Sequence, residues 1–191
     1  MQNRNWIRAL KTSAISLVLT TMTALPGFGA DIVASVETDL NNDGRVERIS
    51  LLHTGDGGAD LLIEHIRGAR LIVPDFAWIG GIGQEPSLSV NASGSVLVTS
   101  QNESVGRNRW VQTLTIAYRS GAYRVAGYTY GYYDTLDLQA TGSCDLNLLN
   151  AKGFVSVQNG AQQAIQHQLG AMPIAEWSMD TPIPEVCRLW E

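Results

Sequence analysis

The sequence predicts an all-β domain: an antiparallel meander packed as a sandwich or partly closed barrel, with at most one short helix. Three observations carry this. Beyond Ile32 the apolar and β-branched residues fall in short runs; Gly, Asn, Asp and Ser clusters interrupt them about every 8 to 12 residues; and sustained 3.6-residue periodicity is missing.

The elements follow in chain order. Residues 32–38, 46–53, 61–66, 71–73, 87–90 and 96–100 read as strands, separated by Asn-Asp-Gly, Gly-Asp-Gly-Gly, Arg-Gly-Ala-Arg and Asn-Ala-Ser-Gly-Ser. Trp110, Leu114, Ile116 and Tyr118 then recur at even spacing, Ser120-Gly121 supplies a tight turn, and residues 122–130 run back to give the clearest hairpin. A second hairpin pairs 144–149 with 154–157 across Asn150-Ala151-Lys152-Gly153. Residues 161–169 suit two turns of helix, after which Pro173, Pro182 and Pro184 enforce an extended tail.

Residues 1–30 have the layout of a secretory signal peptide. Arg4, Arg8 and Lys11 come first without an acid, an apolar run from Ala14 to Ala24 follows, and Pro26 and small residues precede a cut near Gly29 or Ala30. The apolar run is shorter than the roughly 20 residues a spanning helix needs, so the expected product is periplasmic or secreted, without a membrane anchor after cleavage. Residues 31–191 then form one β-rich domain. An eight-stranded outer-membrane barrel is disfavoured by the low aromatic content and the ending Trp190-Glu191.

Loss of the leader leaves 10 Lys and Arg against 18 Asp and Glu, a net charge of −8. Such a chain is repelled by phosphate backbones and anionic lipid, which argues against nucleic-acid partners and makes cations the natural counterpart. The only cysteines, Cys144 and Cys187, are expected to form a bridge that tethers the C-terminal tail, since exported proteins keep their disulfides; two free thiols are the alternative.

One segment carries legible chemistry. In the run from Asp39 to Glu47, oxygen side chains stand at loop positions 1, 3, 5 and 9 (Asp39, Asn41, Asp43, Glu47), glycine at position 6 (Gly44), and the Arg45 carbonyl at position 7. A hard cation takes about six to eight oxygens, and alternating acids around a glycine turn converge on one point. Gathered carboxylates repel one another unless a cation sits among them. The expected ion is Ca²⁺; the alternative is an Asn-Asp-Gly turn carrying solvated acids. Position 12 is Ser50, where an EF-hand has glutamate, and the flanks are strand-like. Residues 37–52 resemble the D-x-N-x-D-G-x-x-D/E calcium-loop element of FG-GAP and VCBS-type repeats, which implies calcium ligation by Asp39, Asn41, Asp43, Glu47 and the Arg45 carbonyl. The motif occurs once in the chain, which does not support a propeller. With Gly127-Tyr128-Thr129-Tyr130, Tyr133-Asp134 and Cys144-Asp145-Leu146-Asn147-Leu148-Leu149, the downstream half also looks loosely like a class of uncharacterised exported proteobacterial proteins.

Other constellations are weaker. His53, His65 and His167 lack metal-site spacing, and His53 and His65 read as strand residues at the edge of a core. No G-x-S-x-G elbow is present, and the Gly80-Gly81-Ile82-Gly83 run lacks phosphate-loop spacing. Tyr128, Tyr130 and Tyr132 share one strand face: exposed, they would form a binding face with Arg107 and Arg109 near its rim; buried, which strand aromatics favour, they are core.

The functional expectation is therefore an exported calcium-binding β-domain serving as a binding or structural module of the cell envelope, with a protein or glycan as ligand. The alternatives are an inhibitor or immunity protein against a cell-wall enzyme, and an envelope hydrolase using Asp134, Asp137 or Asp145. Catalysis is not expected. Intact-mass measurement on protein recovered from the periplasm should show a chain starting within a residue or two of Ala30; a species retaining Arg4 to Lys11 contradicts soluble export.

Overall fold

The computed structural model describes residues 31–65, 68–158 and 160–188. The expected leader, residues 1–30, and Ile66, the expected end of the third strand, lie outside the described residues.

Strands β1 (Ile32–Thr38), β2 (Glu47–His53), β3 (Gly58–His65) and β4 (Arg70–Trp78) form a four-stranded antiparallel meander. The second, eight-stranded sheet begins with β5 (Ser87–Val90), β6 (Val96–Asn102), β7 (Asn108–Arg119) and β8 (Ala122–Asp134). It continues through β9 (Thr141–Asn147), β10 (Lys152–Val157) and β11 (Gln163–Gln166), all in chain order. The short β12 (Met172–Pro173) pairs with the start of β8, beyond the reach of β9. The sheets do not close into a barrel. They enclose one apolar core, so the domain is sandwich-like and all-β.

Period-two alternation builds that core. Ile49 and Leu51 of β2, Leu61 and Ile63 of β3, and Val73 of β4 point inward from the smaller sheet. Val96, Val98, Leu114, Ile116, Tyr128 and Leu146 do so from the larger one. A strand offset by a single residue would turn each of these sets to solvent, so burial fixes the register.

Two local features go beyond the pattern. The fourth strand does not end before Pro74 but continues to Trp78 through a bulge, in which pairing jumps from Leu61↔Val73 to Ala59↔Ala77. Proline lacks an N–H and is tolerated at a bulge on an edge strand; Asp75, at φ +49°, donates its amide to the Asp60 carboxylate at 3.0 Å. The expected Ser120-Gly121 turn is present with φ of +52° and +78°, the positive pair that matches the twist of a two-residue hairpin.

The helix expected over residues 161–169 is corrected: Gln163–Gln166 is strand β11, paired antiparallel with β10. A segment this short is marginal as a free helix. The open edge of β10 offers it backbone partners at once, and docking there also covers that edge.

The tail then returns to the core. Trp177 lies between the sheets, its ring 6.5 Å from Phe76 of β4 and 6.1 Å from Tyr128 of β8, and its indole N–H donates to the Phe76 carbonyl at 3.1 Å. Met179 donates its amide to the Asp75 carbonyl at 2.7 Å. Cys144 and Cys187 are disulfide-bonded and both buried, with Cα atoms 5.4 Å apart. In the chain-entropy account, closing this loop contributes about 4 kcal/mol. Replacing Trp177 by alanine should cost about 3–5 kcal/mol in denaturant melts, the range for emptying a large aromatic site; a loss below about 1 kcal/mol would show that the tail does not hold the sheets together.

Candidate metal centre

The loop between β1 and β2 is closed by the pairing of Thr38 with Glu47, which makes residues 39–46 a hairpin loop. Leu40 anchors it, only 3% exposed and part of the core. The remainder is folded by its own side chains: the Asp43 amide donates to Asp39 Oδ1 at 3.0 Å and to Asn41 Oδ1 at 2.8 Å. The Gly44 amide donates to Asp39 Oδ2 at 2.9 Å, and the Arg45 amide to Asp43 Oδ1 at 2.9 Å. The turn needs a left-handed residue at Gly44, at φ +83°; a Cβ there would meet nothing within 4 Å, so the requirement is conformational.

Glu47 closes the site from below. It shares the inward side of β2 with Ile49 and Leu51, so strand alternation carries its carboxylate into the core, where it is 0% exposed. Its Oε2 accepts the Leu40 amide at 2.7 Å. Its Oε1 lies 3.3 Å from His65 Nδ1, within ion-pair distance but outside hydrogen-bonding geometry, and has no hydrogen-bond partner among the described residues. A buried carboxylate oxygen in that state costs free energy that a cation can recover.

One carboxylate oxygen from each of Asp39, Asp43 and Glu47 lies within 4.8 Å of the others, so the three can hold a metal ion. Asp43 is exposed, Asp39 half-buried and Glu47 buried, so an ion would enter from the loop side and rest against the core. The donor set is all oxygen, the choice of a hard cation. Asn41 lies between Asp39 and Asp43, its Nδ2 3.4 Å from Asp43 Oδ2. Arg45 is exposed.

Two residues of this neighbourhood went unnoticed as such in the sequence. His65 is the cross-strand partner of Glu47, and its Nε2 lies 3.3 Å from the Tyr123 hydroxyl, reaching across from β3 to β8. Burial first, and the negative charge of Glu47 second, push the Tyr123 phenol up to about 12, which keeps it neutral. That His65 shares strand parity with Leu61 and Ile63 was legible; its pairing with Glu47 was not. His53, by contrast, is exposed rather than at the core edge, its Nδ1 accepting the Gly55 amide at 2.8 Å.

The tyrosine face divides. Tyr128 and Tyr130 are buried at 2% and 6% exposure, and Tyr132 is half-buried. The first two are therefore core residues and not an open binding platform. At the far end of β8, Arg107 grips Asp134 Oδ2 through Nε at 2.7 Å and Nη2 at 2.6 Å, while Asp134 Oδ1 accepts the amides of Leu136 and Asp137. Arg107 foremost, and the Leu136 amide next, hold the Asp134 carboxyl below its usual value. That opposes its use as a general acid. Asp145 accepts the Thr129 hydroxyl at 3.3 Å.

A carboxyl with a depressed folded pKa binds fewer protons folded than unfolded between the two values, so its stabilisation is present above its ordinary pKa and is lost as pH falls through the folded one. Arg107→Ala should return the Asp134 titration, followed by carboxyl ¹³C NMR, toward the ordinary range near about 3.9; an unchanged midpoint would mean the backbone amides alone set it. Comparison with known proteins finds no match to any protein family, curated protein or solved structure.

Proposed function

We propose that this chain is an exported, calcium-stabilised β-sandwich that serves the cell envelope as a binding or structural module. The observation that carries the reading is the meeting of Asp39 and Asp43 with Glu47, whose buried Oε1 has no hydrogen-bond partner among the described residues. Asp39, Asn41, Asp43 and Glu47 supply side-chain oxygens to Ca²⁺, the Arg45 carbonyl supplies another, and water completes the shell. Mg²⁺ fits less well, because it demands a near-ideal octahedron and holds its own water, whereas a loop with mixed carboxylate and amide donors suits the looser calcium shell.

The ion's work is structural. Its ligands lie on both sides of the β1–β2 hairpin loop, so binding closes that loop against the core. The buried disulfide fits an oxidising compartment, in keeping with export.

Ligation of the native state alone adds RT ln(1 + [L]/Kd), so calcium at about 100 times its Kd should contribute roughly 2.7 kcal/mol. Thermal melts with calcium and with EGTA, and calorimetric titration, should show that difference for the wild-type chain and its loss in the Asp39→Asn, Asp43→Asn double variant. The apo variant should melt somewhat below apo wild type, because asparagine at 39 keeps only one of the two oxygens that accept the Asp43 and Gly44 amides, a loss set against the relief of carboxylate repulsion. Equal wild-type melts with calcium and EGTA, without binding heat at millimolar metal, refute the reading.

A further inference from the structure

The β7–β8 hairpin meets the acid loop of the smaller sheet at one hydroxyl. Tyr123, near the start of β8, pairs with Tyr118 across the turn, and the two rings meet edge to face at 5.0 Å, which holds the Tyr123 ring in place. Its hydroxyl lies 3.3 Å from His65 Nε2, and the Asn41 side chain hydrogen-bonds the same oxygen. Asn41, His65 and Tyr123 line one cleft of about 360 Å³.

The partners of these groups order the protons between them. Glu47 Oε1, buried and 3.3 Å from His65 Nδ1, is negative and can only accept, so its charge favours the imidazole proton at Nδ1. Nε2 of the neutral ring is then an acceptor. The Tyr123 phenol has a single proton to give, and Nε2 takes it. Its oxygen is left to accept, and the group of Asn41 that can donate to it is the Nδ2 amide.

That order settles which end of Asn41 faces the loop. The two ends of the amide have nearly the same shape and opposite polarity, and only the oxygen can ligate a cation. With Nδ2 toward Tyr123, Oδ1 is turned into the loop, where it already accepts the Asp43 amide at 2.8 Å and keeps a second lone pair. A flipped amide would set two acceptor oxygens against each other at Tyr123 and present N–H groups to the ion.

We propose that Tyr123 is a positioning residue for the calcium loop: its hydroxyl, ordered by His65, holds the Asn41 amide with Oδ1 turned to the ion. The inference rests on the calcium reading and adds to it a contact from the larger sheet. Partners of this kind, which touch a ligand and not the metal, fix ligand orientation and affect affinity by about 10–100-fold.

The test is a calorimetric calcium titration of the full exported chain, of Tyr123→Phe, of Asn41→Asp and of the double variant. Tyr123→Phe keeps the ring against Tyr118 and removes only the hydroxyl, and it should weaken calcium binding at least about tenfold. With Asn41→Asp either oxygen can face the ion, so in that background the same change should cost about twofold or less, the scatter of independent effects. Terbium placed in the site, with luminescence decay compared in H₂O and D₂O, should show an extra bound water in Tyr123→Phe. In EGTA the wild-type chain should show nuclear Overhauser contacts from the Asn41 Nδ2 protons to the Tyr123 ring. Unchanged affinity in Tyr123→Phe, an equal loss in both backgrounds, an unchanged water count, or absence of the Overhauser contacts overturns the proposal. No binding heat for the wild-type chain at millimolar calcium removes the calcium reading and this inference together, whereas wild-type binding that Tyr123→Phe leaves intact removes this inference alone.

Discussion

A four-stranded sheet facing an eight-stranded one cannot by itself bury the inner face of its wider partner, and apolar surface left in water is unfavourable in proportion to its area. The chain meets this constraint with its tail. Ile174, Trp177 and Cys187 all enter the core, and Trp177 touches Phe76 on one sheet and Tyr128 on the other. The indole N–H would be a buried orphan in an all-apolar seat; the Phe76 carbonyl satisfies it, so the contact is specific in orientation as well as favourable in area. The disulfide from β9 to the end of the tail then limits how far the tail can stray in the unfolded chain.

The buried Glu47 carboxylate is the second commitment. Placing an acid where β2 parity demands an apolar residue opposes folding, and the Leu40 amide and His65 offset only part of that cost. Leu40 is itself held by the core, so the same packing that docks the loop delivers the amide to Glu47. The acid cluster is thus joined to the sandwich at its inner end, unlike a set of solvated loop charges. Through His65 and Tyr123 that link reaches from the smaller sheet to the larger one.

Along β8 one alternating row of tyrosines does two kinds of work. Near its middle the row is interior, with Tyr128 donating to Gln112 at 3.2 Å and packing beside Trp177. Toward Asp134 it becomes half-exposed, and a cleft with an arginine rim lies there. Burial raises the phenols of Tyr128 and Tyr130, the latter to about 12, so the row is neutral at physiological pH.

The all-β class, the Ser120-Gly121 hairpin and the oxygen spacing from Asp39 to Glu47 were readable from residues alone, because each rests on interactions a few positions apart: alternation, positive-φ turn chemistry and side chains capping their own loop. The Cys144–Cys187 bridge was readable from count and context. Tertiary structure decided what depends on distant partners. Residues 163–166 became a strand because β10 offered an edge, and β4 passed Pro74 because it is the edge strand of its sheet. Glu47 met His65, and Arg107 met Asp134, across strands whose pairing no local pattern specifies. The depth of Tyr128 and Tyr130 was settled by Trp177 and the facing sheet, since parity tells which side of a strand a ring occupies but not how much of that side another layer covers.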